Sequence, residues 1–391
     1  MTRASEYARD DSELEELAPL VSWAFGDPPA SVLNWLRGFG PSAIRLLRDG
    51  GSPQAALCEI PMGQWFGGAR VEMLGVAAVS VAPESRGKGV AKRLMLEMLE
   101  EARARRVALS TLYPATLTLY RNVGYELAGT RYRYSAQLAR LPRWNSELEL
   151  APLTRARESE AETLYREQAP AQPGALDRCG YIWNRVRAPR GEPARGVAVE
   201  GAHGLAGYLY LKQEIAADRA HDIVVNDLVV TTSEAARRVL TFLADHRSTG
   251  SRVHWYAGPA APWLFDFPER VFEVTLSDYW MVRIVHAAAA LEQRGYPKAL
   301  IAELDLEIED SSLPDNSGRY VVRLAAGQAT VERSLGRGRI RIDIRGLAAL
   351  YTGFATPAAL GHAQLLTAGA DDLELLGTAF CSGAPGLGDY F

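Results

Sequence analysis

The sequence predicts an α/β protein in which helices and mixed β-sheets form three consecutive domains. An apolar run from Met73 to Val81 ends at Pro83, and helically spaced apolar residues follow from Val90 to Ala102. A similar order of strands and helix recurs from Gly196 to Ala257, whereas alternating strands become prominent after His286. A length of 391 residues is sufficient for two or three domains.

The elements of the first domain follow one another in a clear order. Ser12 and Glu15 form a capping box ahead of helically spaced apolar residues, which predicts an opening helix. The helix after Pro83 lies between strands, and a short helix containing Tyr120 leads to a turn at Gly124. Strands are expected at about 43–48, 55–62, 71–81, 107–113 and 132–138.

The rest of the chain predicts two further domains, and we place the domain boundaries at 1–145, 146–285 and 286–391. Pro142 and Pro152 bracket the first linker. The second domain is expected to have strands at 196–200, 205–212, 223–230 and 252–257 and a helix at 233–245. The third is expected to have a helix at 287–294, an antiparallel sheet at 300–308, 320–324, 330–333 and 339–344 with a hairpin turn at 315–318, and covering helices at 346–351 and 357–366.

The segment Val79-Ser-Val-Ala-Pro-Glu-Ser-Arg-Gly-Lys-Gly-Val-Ala91 joins a strand to a helix N-terminus through a glycine-containing loop. Free first-turn N–H groups and the helix dipole favour an anion there, and glycine removes the Cβ atoms that would obstruct it. A P-loop is excluded because Gly89 follows Lys88, and a dinucleotide fingerprint is excluded because Lys92 replaces the third small residue. The pattern therefore predicts a pyrophosphate site, with an ordinary solvated turn as the alternative.

The second cycle of elements has no equivalent loop. After Val230 the chain runs Thr231-Thr-Ser-Glu-Ala-Ala-Arg237, so bulky side chains and Glu234 occupy the turn where a diphosphate would need bare amides. We therefore expect one pyrophosphate site per chain.

Composition and charge exclude several classes of function. A net charge of −4 gives no basic field for nucleic acid. Residues Met1–Asp11 have no apolar core of a signal peptide, and no apolar run is long enough to cross a membrane. The widely separated Cys58, Cys179 and Cys381 have neither metal nor disulfide spacing. We expect a cytoplasmic protein that needs no metal and binds neither nucleic acid nor membrane.

The glycine-containing loop resembles motif A of the GNAT acetyltransferases, in which this loop holds the pyrophosphate of acetyl-CoA. The resemblance implies tandem GNAT folds, with the second lacking the motif, and backbone groups of Val79 and Val81 facing the pantetheine. The residues that would line the diphosphate are Arg86, Gly87, Lys88, Gly89, Val90 and Ala91.

The whole chain resembles the Eis (enhanced intracellular survival) family, in which a sterol-carrier-like α+β domain follows two GNAT-like domains. The features that carry this resemblance are the segment from Tyr113 to Glu126, Trp280-Met-Val-Arg283 leading to Arg294-Gly-Tyr296, and the final Asp389-Tyr-Phe391. The family pattern has a second arginine where this chain has Gly87. The resemblance implies a homo-oligomer, specifically a hexamer, and an N-acetyltransferase that acts on aminoglycoside-like, polyamine or lysine amines.

Acetyl transfer to an amine requires a group that accepts a proton and a donor near the departing thiolate. The first domain has no histidine. By resemblance, Tyr120 is the general acid and the α-carboxylate of Phe391 is the general base, whose ordinary pKa of about 3.3–3.7 partial burial would raise. The alternatives are a core tyrosine at Tyr120 and a disordered end at Phe391.

The amine acceptor is less defined by the sequence. Aromatic residues and a carboxylate on or just after the first helix would suit a cationic amine, and we assign Asp27 and Trp35 to substrate binding. No residue chooses among the acceptor classes. Two other functions remain open at this point, a lipid or sterol carrier and an acyl-CoA-binding regulatory protein.

Overall fold

The computed structural model describes residues 4–215 and 221–391, which form two compact units. Unit 1 contains the chain up to Ala128, Trp280–Gly383 and Phe391, and unit 2 contains Gly129–Tyr279 and Ala384–Tyr390. Residues 1–3 of the predicted first domain lie outside the described residues. No helix among the described residues is long and apolar enough to cross a membrane.

The helices and strands are numbered in chain order. The first part contains β1 (Glu6–Tyr7), α1 (Asp11–Phe25), α2 (Pro29–Phe39), β2 (Ile44–Asp49), β3 (Ser52–Phe66), β4 (Ala69–Val81), α3 (Val90–Ala104), β5 (Leu109–Leu112), α4 (Leu117–Arg121) and β6 (Glu126–Gln137). The middle part contains β7 (Leu150–Pro152), α5 (Glu158–Gln168), β8 (Leu176–Asp177), α6 (Gly180–Arg187), β9 (Arg195–Gly201), β10 (Gly204–Ile215), β11 (His221–Val230), α7 (Ser233–Asp245), β12 (Gly250–Ala257) and β13 (Phe272–Ile284). The last part contains α8 (Ala287–Gln293), β14 (Ala302–Glu309), β15 (Gly318–Ala325), β16 (Gln328–Ser334), β17 (Ile340–Asp343), α9 (Ile344–Thr352), α10 (Pro357–His362), β18 (Leu366–Thr367) and α11 (Ala370–Ala379).

The first sheet of unit 1 has the strand order β1-β2-β3-β4-β5-β13. Neighbouring strands are antiparallel except β4 and β5, which run parallel. Helix α3 packs on one face, where Leu94, Met98 and Leu99 meet Leu74 and Val76 of β4. The apolar residues whose spacing predicted this helix therefore form its buried side. The prediction of a mixed sheet is confirmed by the strand pairing.

The second sheet of unit 1 has the order β16-β15-β14-β17-β18. The strands match the predicted positions, but the expectation of a purely antiparallel sheet is wrong because β17 pairs parallel to β14. The chain leaves β16 at Ser334 and crosses to the far side of β14, where β17 runs in the same direction as β14. The predicted hairpin turn at Asp315–Gly318 is instead a short 3₁₀ turn at Pro314–Asn316 ahead of β15.

A buried ion pair lies beneath the turn that follows α4. Arg283 donates to both oxygens of Asp310 at 2.7 and 2.8 Å, and neither side chain is exposed. Gly124 has a positive φ of 86°, and a Cβ there would lie 2.7 Å from the Arg283 guanidinium. Glycine is therefore required at this turn by both conformation and space.

Removing the carboxylate of this pair should strongly destabilise the protein. We expect Asp310→Ala to lower the free energy of unfolding by about 3–5 kcal/mol, because it leaves a buried guanidinium without its counter-ion. Asp315→Ala is the matched control, since it breaks the ion pair of Arg103 with an 80% exposed carboxylate and should cost about 0–1 kcal/mol. Urea denaturation measures both variants, and equal losses would contradict the expectation.

Six strands of unit 2 follow the order β6-β12-β11-β10-β9-β7; among the described residues of these strands β11 and β12 are the parallel pair, and the other neighbours are antiparallel. Helix α7 covers it with Val239 and Leu243. The predicted strands and helix of the second cycle are confirmed. Pro152, however, does not bound a linker but ends β7, an edge strand where its missing N–H costs no ladder bond.

Two predictions for the first helices require correction. The N-cap of α1 is Asp10 rather than Ser12, because the Asp10 carboxylate accepts from the Glu13 N–H and the Ser12 hydroxyl. The second correction concerns Trp35, which lies on a separate helix, α2. Gly26, in a left-handed conformation, ends α1 before α2 begins.

Candidate functional site

Strands β4 and β5 separate at the edge where the predicted site begins. Their parallel pairing runs from Met73–Leu109 to Val76–Leu112, and β5 then ends while β4 continues to Val81. One extra residue interrupts the pairing of β4 with β3, since Ala78 and Val79 together face Leu57. Ala78 has a φ of 55°, which marks a β-bulge. Val79 and Val81 therefore lie on a stretch of β4 that, among the described residues, has no paired strand on its β5 side.

The loop after β4 presents free amides to solvent. Gly87 and Gly89 have φ values of 72° and 77°, and a Cβ at either position would meet nothing within 4 Å. Within residues 4–215 and 221–391, the N–H groups from Gly87 to Lys92 make no hydrogen bond of normal geometry, and the first bond of α3 runs from the Arg93 N–H to the Gly89 carbonyl. This arrangement fits a diphosphate, which needs several converging N–H donors at a helix N-terminus.

The charged side chains of the loop are exposed. Arg86 and Lys88 lie on the surface, and the Arg86 Nε contacts the Val81 carbonyl at 3.4 Å. Val90 and Ala91 open α3 and are half-buried. The structure thus brings the residues predicted to line the diphosphate onto one turn.

Tyr120 lies on α4 within the core cluster that contains Val76 and Leu112, the last paired residues of β4 and β5. Its side chain is 4% exposed and its ring meets the Tyr125 ring edge-on, with centroids 6.0 Å apart. Within the described part of the chain its hydroxyl has no hydrogen-bond partner, unlike the Tyr125 hydroxyl, which lies 2.7 Å from Ser110 Oγ. Burial raises the pKa of Tyr120 to about 12, so its phenol is protonated at neutral pH.

Phe391 is buried in unit 1. Its ring packs edge-on against Tyr113, directly after β5, with centroids 5.7 Å apart. A Cβ at Gly75 of β4 would lie 3.0 Å from the Phe391 ring. Gly75 pairs with Thr111, one residue before the last β4–β5 pair, so Phe391 and Tyr120 both lie beside the point where the strands separate.

The two residues assigned to the acceptor differ in their surroundings. Trp35 is half-buried and packs against Phe25 and Phe39, with ring centroids 5.7 and 5.6 Å away. Asp27 is exposed between α1 and α2, and its carbonyl accepts from the Ser22 hydroxyl. The structure brings Trp35, Phe25 and Phe39 together in one aromatic cluster. Asp27 is exposed and does not lie in a buried pocket.

The sequence did not predict that Gly75, Ala78 and Tyr113 belong to the candidate site. A glycine within a strand is a signal of close approach by another group, and Gly75 carried that signal. Ala78 carried none, since alanine is not expected at a positive φ.

The corresponding turn in unit 2 has a different construction. The Thr232 hydroxyl accepts from the Ala235 N–H at 3.1 Å, which satisfies one of the first-turn donors of α7. Glu234 adds a negative charge to the same turn. This turn is therefore poorly suited to a diphosphate.

Comparisons with known proteins agree with this geometry. Families described as acetyltransferase (GNAT) domains match residues 8–128 and 174–284, and the sterol carrier protein domain family matches residues 287–388. The crystal structure of a GCN5-related N-acetyltransferase from Anabaena variabilis is 32% identical, covers 99% of this chain and 100% of its own, and has a TM-score of 0.94.

Two further relatives extend the comparison. An N-acetyltransferase of Streptomyces avermitilis is 27% identical over 351 residues, which is 83% of this chain and 82% of the relative. The N-acetyltransferase Eis of Mycobacterium tuberculosis is 23% identical over 383 residues, which is 91% of each chain. The chain belongs to the GCN5-related N-acetyltransferases and is an Eis-like member of that family.

Proposed function

We propose that this protein transfers the acetyl group of acetyl-CoA directly to an amine within a ternary complex, with Tyr120 as general acid and the terminal carboxylate of Phe391 as general base. The observation that carries the proposal is a row of N–H groups from Gly87 to Lys92, at the edge where β4 and β5 separate beside the Tyr120 hydroxyl. Among the described residues these N–H groups and this hydroxyl have no hydrogen-bond partner. Release of free CoA thiol with a panel of amines tests it, and no release with any amine would contradict it.

Acetyl-CoA would bind along the free stretch of β4 and the loop. Val79 and Val81 offer backbone groups to the pantetheine, since β5 no longer pairs there. The diphosphate would accept from the free N–H groups, and the exposed Arg86 and Lys88 would add charge-assisted contacts. The glycine at position 87 supplies a bare amide instead of a second guanidinium.

Tyr120 would supply the proton for the departing thiolate. Acetyl-CoA would supply the acetyl group. The amine nitrogen would bond to the thioester carbon, and the carbon–sulfur bond would break. The phenol is suited to this step because burial keeps it protonated and its hydroxyl has no competing partner in the described residues. Hydrogen bonding to the sulfur would stabilise the charge that develops there.

Phe391 would accept the proton that the attacking nitrogen loses. This role requires Phe391 to end the chain, which the intact mass of the purified protein checks. Burial of the ring beside Gly75 and Tyr113 limits the motion of the attached carboxylate. A carboxylate that is partly removed from water has a raised pKa and is a better base at neutral pH.

The acceptor would bind near Trp35 and Asp27, where aromatic faces and a carboxylate favour a cationic amine. The proposed acceptors are aminoglycoside-like compounds, polyamines or lysine side chains. We also retain the domain boundaries at 1–145, 146–285 and 286–391, a cytoplasmic location and a hexameric assembly as predictions. Sedimentation velocity tests the assembly.

The lipid-carrier alternative depends on the last domain alone. The match of residues 287–388 to a sterol carrier protein domain is its support. Titration with a fluorescent sterol tests it, and a regulatory acyl-CoA-binding role would be indicated by acetyl-CoA binding without turnover.

Each chain should bind one acetyl-CoA, and Gly89→Glu should abolish binding. The glutamate would place a negative charge among the free amides and force a left-handed backbone on a residue with a Cβ. Gly68→Glu is the matched control, because Gly68 is also exposed, has a φ of 79° and has open space around a Cβ, but lies in the β3–β4 turn. Calorimetry showing two sites per chain, or unchanged binding in Gly89→Glu, would contradict the prediction.

A further inference from the structure

The last residues before Phe391 pair with β6 of unit 2. The Thr130 N–H of β6 donates to the Pro385 carbonyl, and the Leu387 N–H donates to the Thr130 carbonyl, both at 3.2 Å. These two bonds make a parallel bridge around Gly386. The segment 384–390, which we call the C-terminal segment, is therefore held by strand-like pairing.

The C-terminal segment lies where β11 and β12 separate. Their parallel pairing ends at Val225–Trp255, and Asn226 is an extra residue in the pairing of β11 with β10. Strand β11 then continues to Val230, whereas β12 ends at Ala257. A bulge followed by separated parallel strands is the same arrangement that opens the proposed acetyl-CoA site at β4 and β5 of unit 1.

Close contacts place the C-terminal segment against the end of β12. A Cβ at Gly386 would lie 2.2 Å from the Gly258 Cα, immediately after β12. A Cβ at Gly388 would lie 3.2 Å from the Tyr256 carbonyl. The two glycines thus allow backbone to lie against backbone on the β12 side.

Arg178 joins the segment to β11. Its guanidinium donates to both oxygens of Asp227 at 2.6 and 2.8 Å, and its Nε donates to Asp389 at 3.0 Å. The three side chains are buried, and the guanidinium stacks on the Tyr165 ring at 3.7 Å. The Tyr208 hydroxyl also donates to Asp227. Burial raises the pKa of Asp389, and Arg178 opposes that rise.

We propose that Arg178 is a positioning residue for the reaction. In the first acetyltransferase domain the opening between the parallel strands would bind acetyl-CoA, and in the second the corresponding opening anchors the C-terminal segment. Asp389 is two residues before Phe391, so their Cα atoms are at most about 7 Å apart. Fixing Asp389 therefore restricts the volume that the Phe391 carboxylate can reach. This inference rests on the proposed function, in which that carboxylate accepts the proton.

The test compares Asp389→Asn, Asp389→Glu and Arg178→Met with the unchanged protein. We expect Asp389→Asn and Arg178→Met to lower kcat about 10–100-fold, because misplacement of a catalytic group by about 1 Å has an effect of this size. The KM for acetyl-CoA should be unchanged, and Asp389→Glu should recover part of kcat. Asp315→Asn, at an exposed acid, is the control with unchanged turnover.

Hydrogen exchange at the Leu387 amide reports the anchor independently of activity. Exchange should accelerate in Asp389→Asn and Arg178→Met while circular dichroism and acetyl-CoA binding are retained. Faster exchange with unchanged kcat would overturn the positioning role, and unchanged exchange would overturn the anchor. If the unchanged protein acetylates no amine, the proposed function fails, and exchange at Leu387 still decides whether Arg178 holds the segment.

Discussion

Tyr120→Phe should reduce kcat by about 10²–10⁴-fold while the affinity for acetyl-CoA is retained. The substitution removes only the hydroxyl that would protonate the departing thiolate, and general acids typically contribute this much. The hydroxyl has no partner within the described residues, so its loss breaks no internal hydrogen bond. Steady-state turnover and calorimetric binding of acetyl-CoA measure the two quantities.

Tyr125→Phe is the matched control for this experiment. Tyr125 is a neighbouring buried tyrosine whose hydroxyl lies 2.7 Å from Ser110 Oγ, so its removal should cost stability by about 0.5–1.5 kcal/mol and leave turnover per folded molecule nearly unchanged. A Tyr120→Phe enzyme within a few-fold of the unchanged rate would dismiss the acid role.

The pH dependence of kcat gives an additional check on Tyr120. The phenol must carry its proton to act as an acid, so activity due to Tyr120 is lost as pH rises through its pKa. Because burial raises that pKa to about 12, kcat should not fall through loss of this proton near pH 10, the ordinary value for tyrosine. A fall in kcat at pH 10 or below that is absent in Tyr120→Phe would contradict this assignment.

Adding a single glycine after Phe391 should also cause a large loss of turnover. The extension converts the α-carboxylate of Phe391 into an amide and moves the charge by one residue, so the proposed base is lost without a change in any side chain. We expect kcat to fall by about 10²–10⁴-fold, as for other general bases, with acetyl-CoA binding retained.

Phe391→Leu tests the contribution of the ring separately from that of the terminal carboxylate. This variant keeps the terminal charge but loses the edge-on contact with Tyr113, so it should lose less activity than the extended chain. Full turnover in the extended protein, with its mass confirmed, would show that another group accepts the proton.

Local sequence signals were sufficient for most of the fold. The apolar periodicity of α3 and α7 and the alternation of apolar and acidic residues in β14 placed these elements, because each pattern repeats within a few residues. The helices α2, α5, α6 and α11 were not predicted. The N-cap of α1 was misplaced because Asp10 and Ser12 are both good caps.

The sequence by itself determined the N-acetyltransferase family. It also predicted a pyrophosphate loop, because Gly87 and Gly89 at a strand-to-helix junction are a local pattern. Only the tertiary structure placed Phe391 beside Gly75 and Tyr113, and Asp389 on Arg178. Those contacts join residues more than 200 positions apart, and no periodic pattern encodes such pairs. The bulge at Ala78 likewise arises from the unequal pairing of β3 with β4, which depends on strand register rather than on residue type.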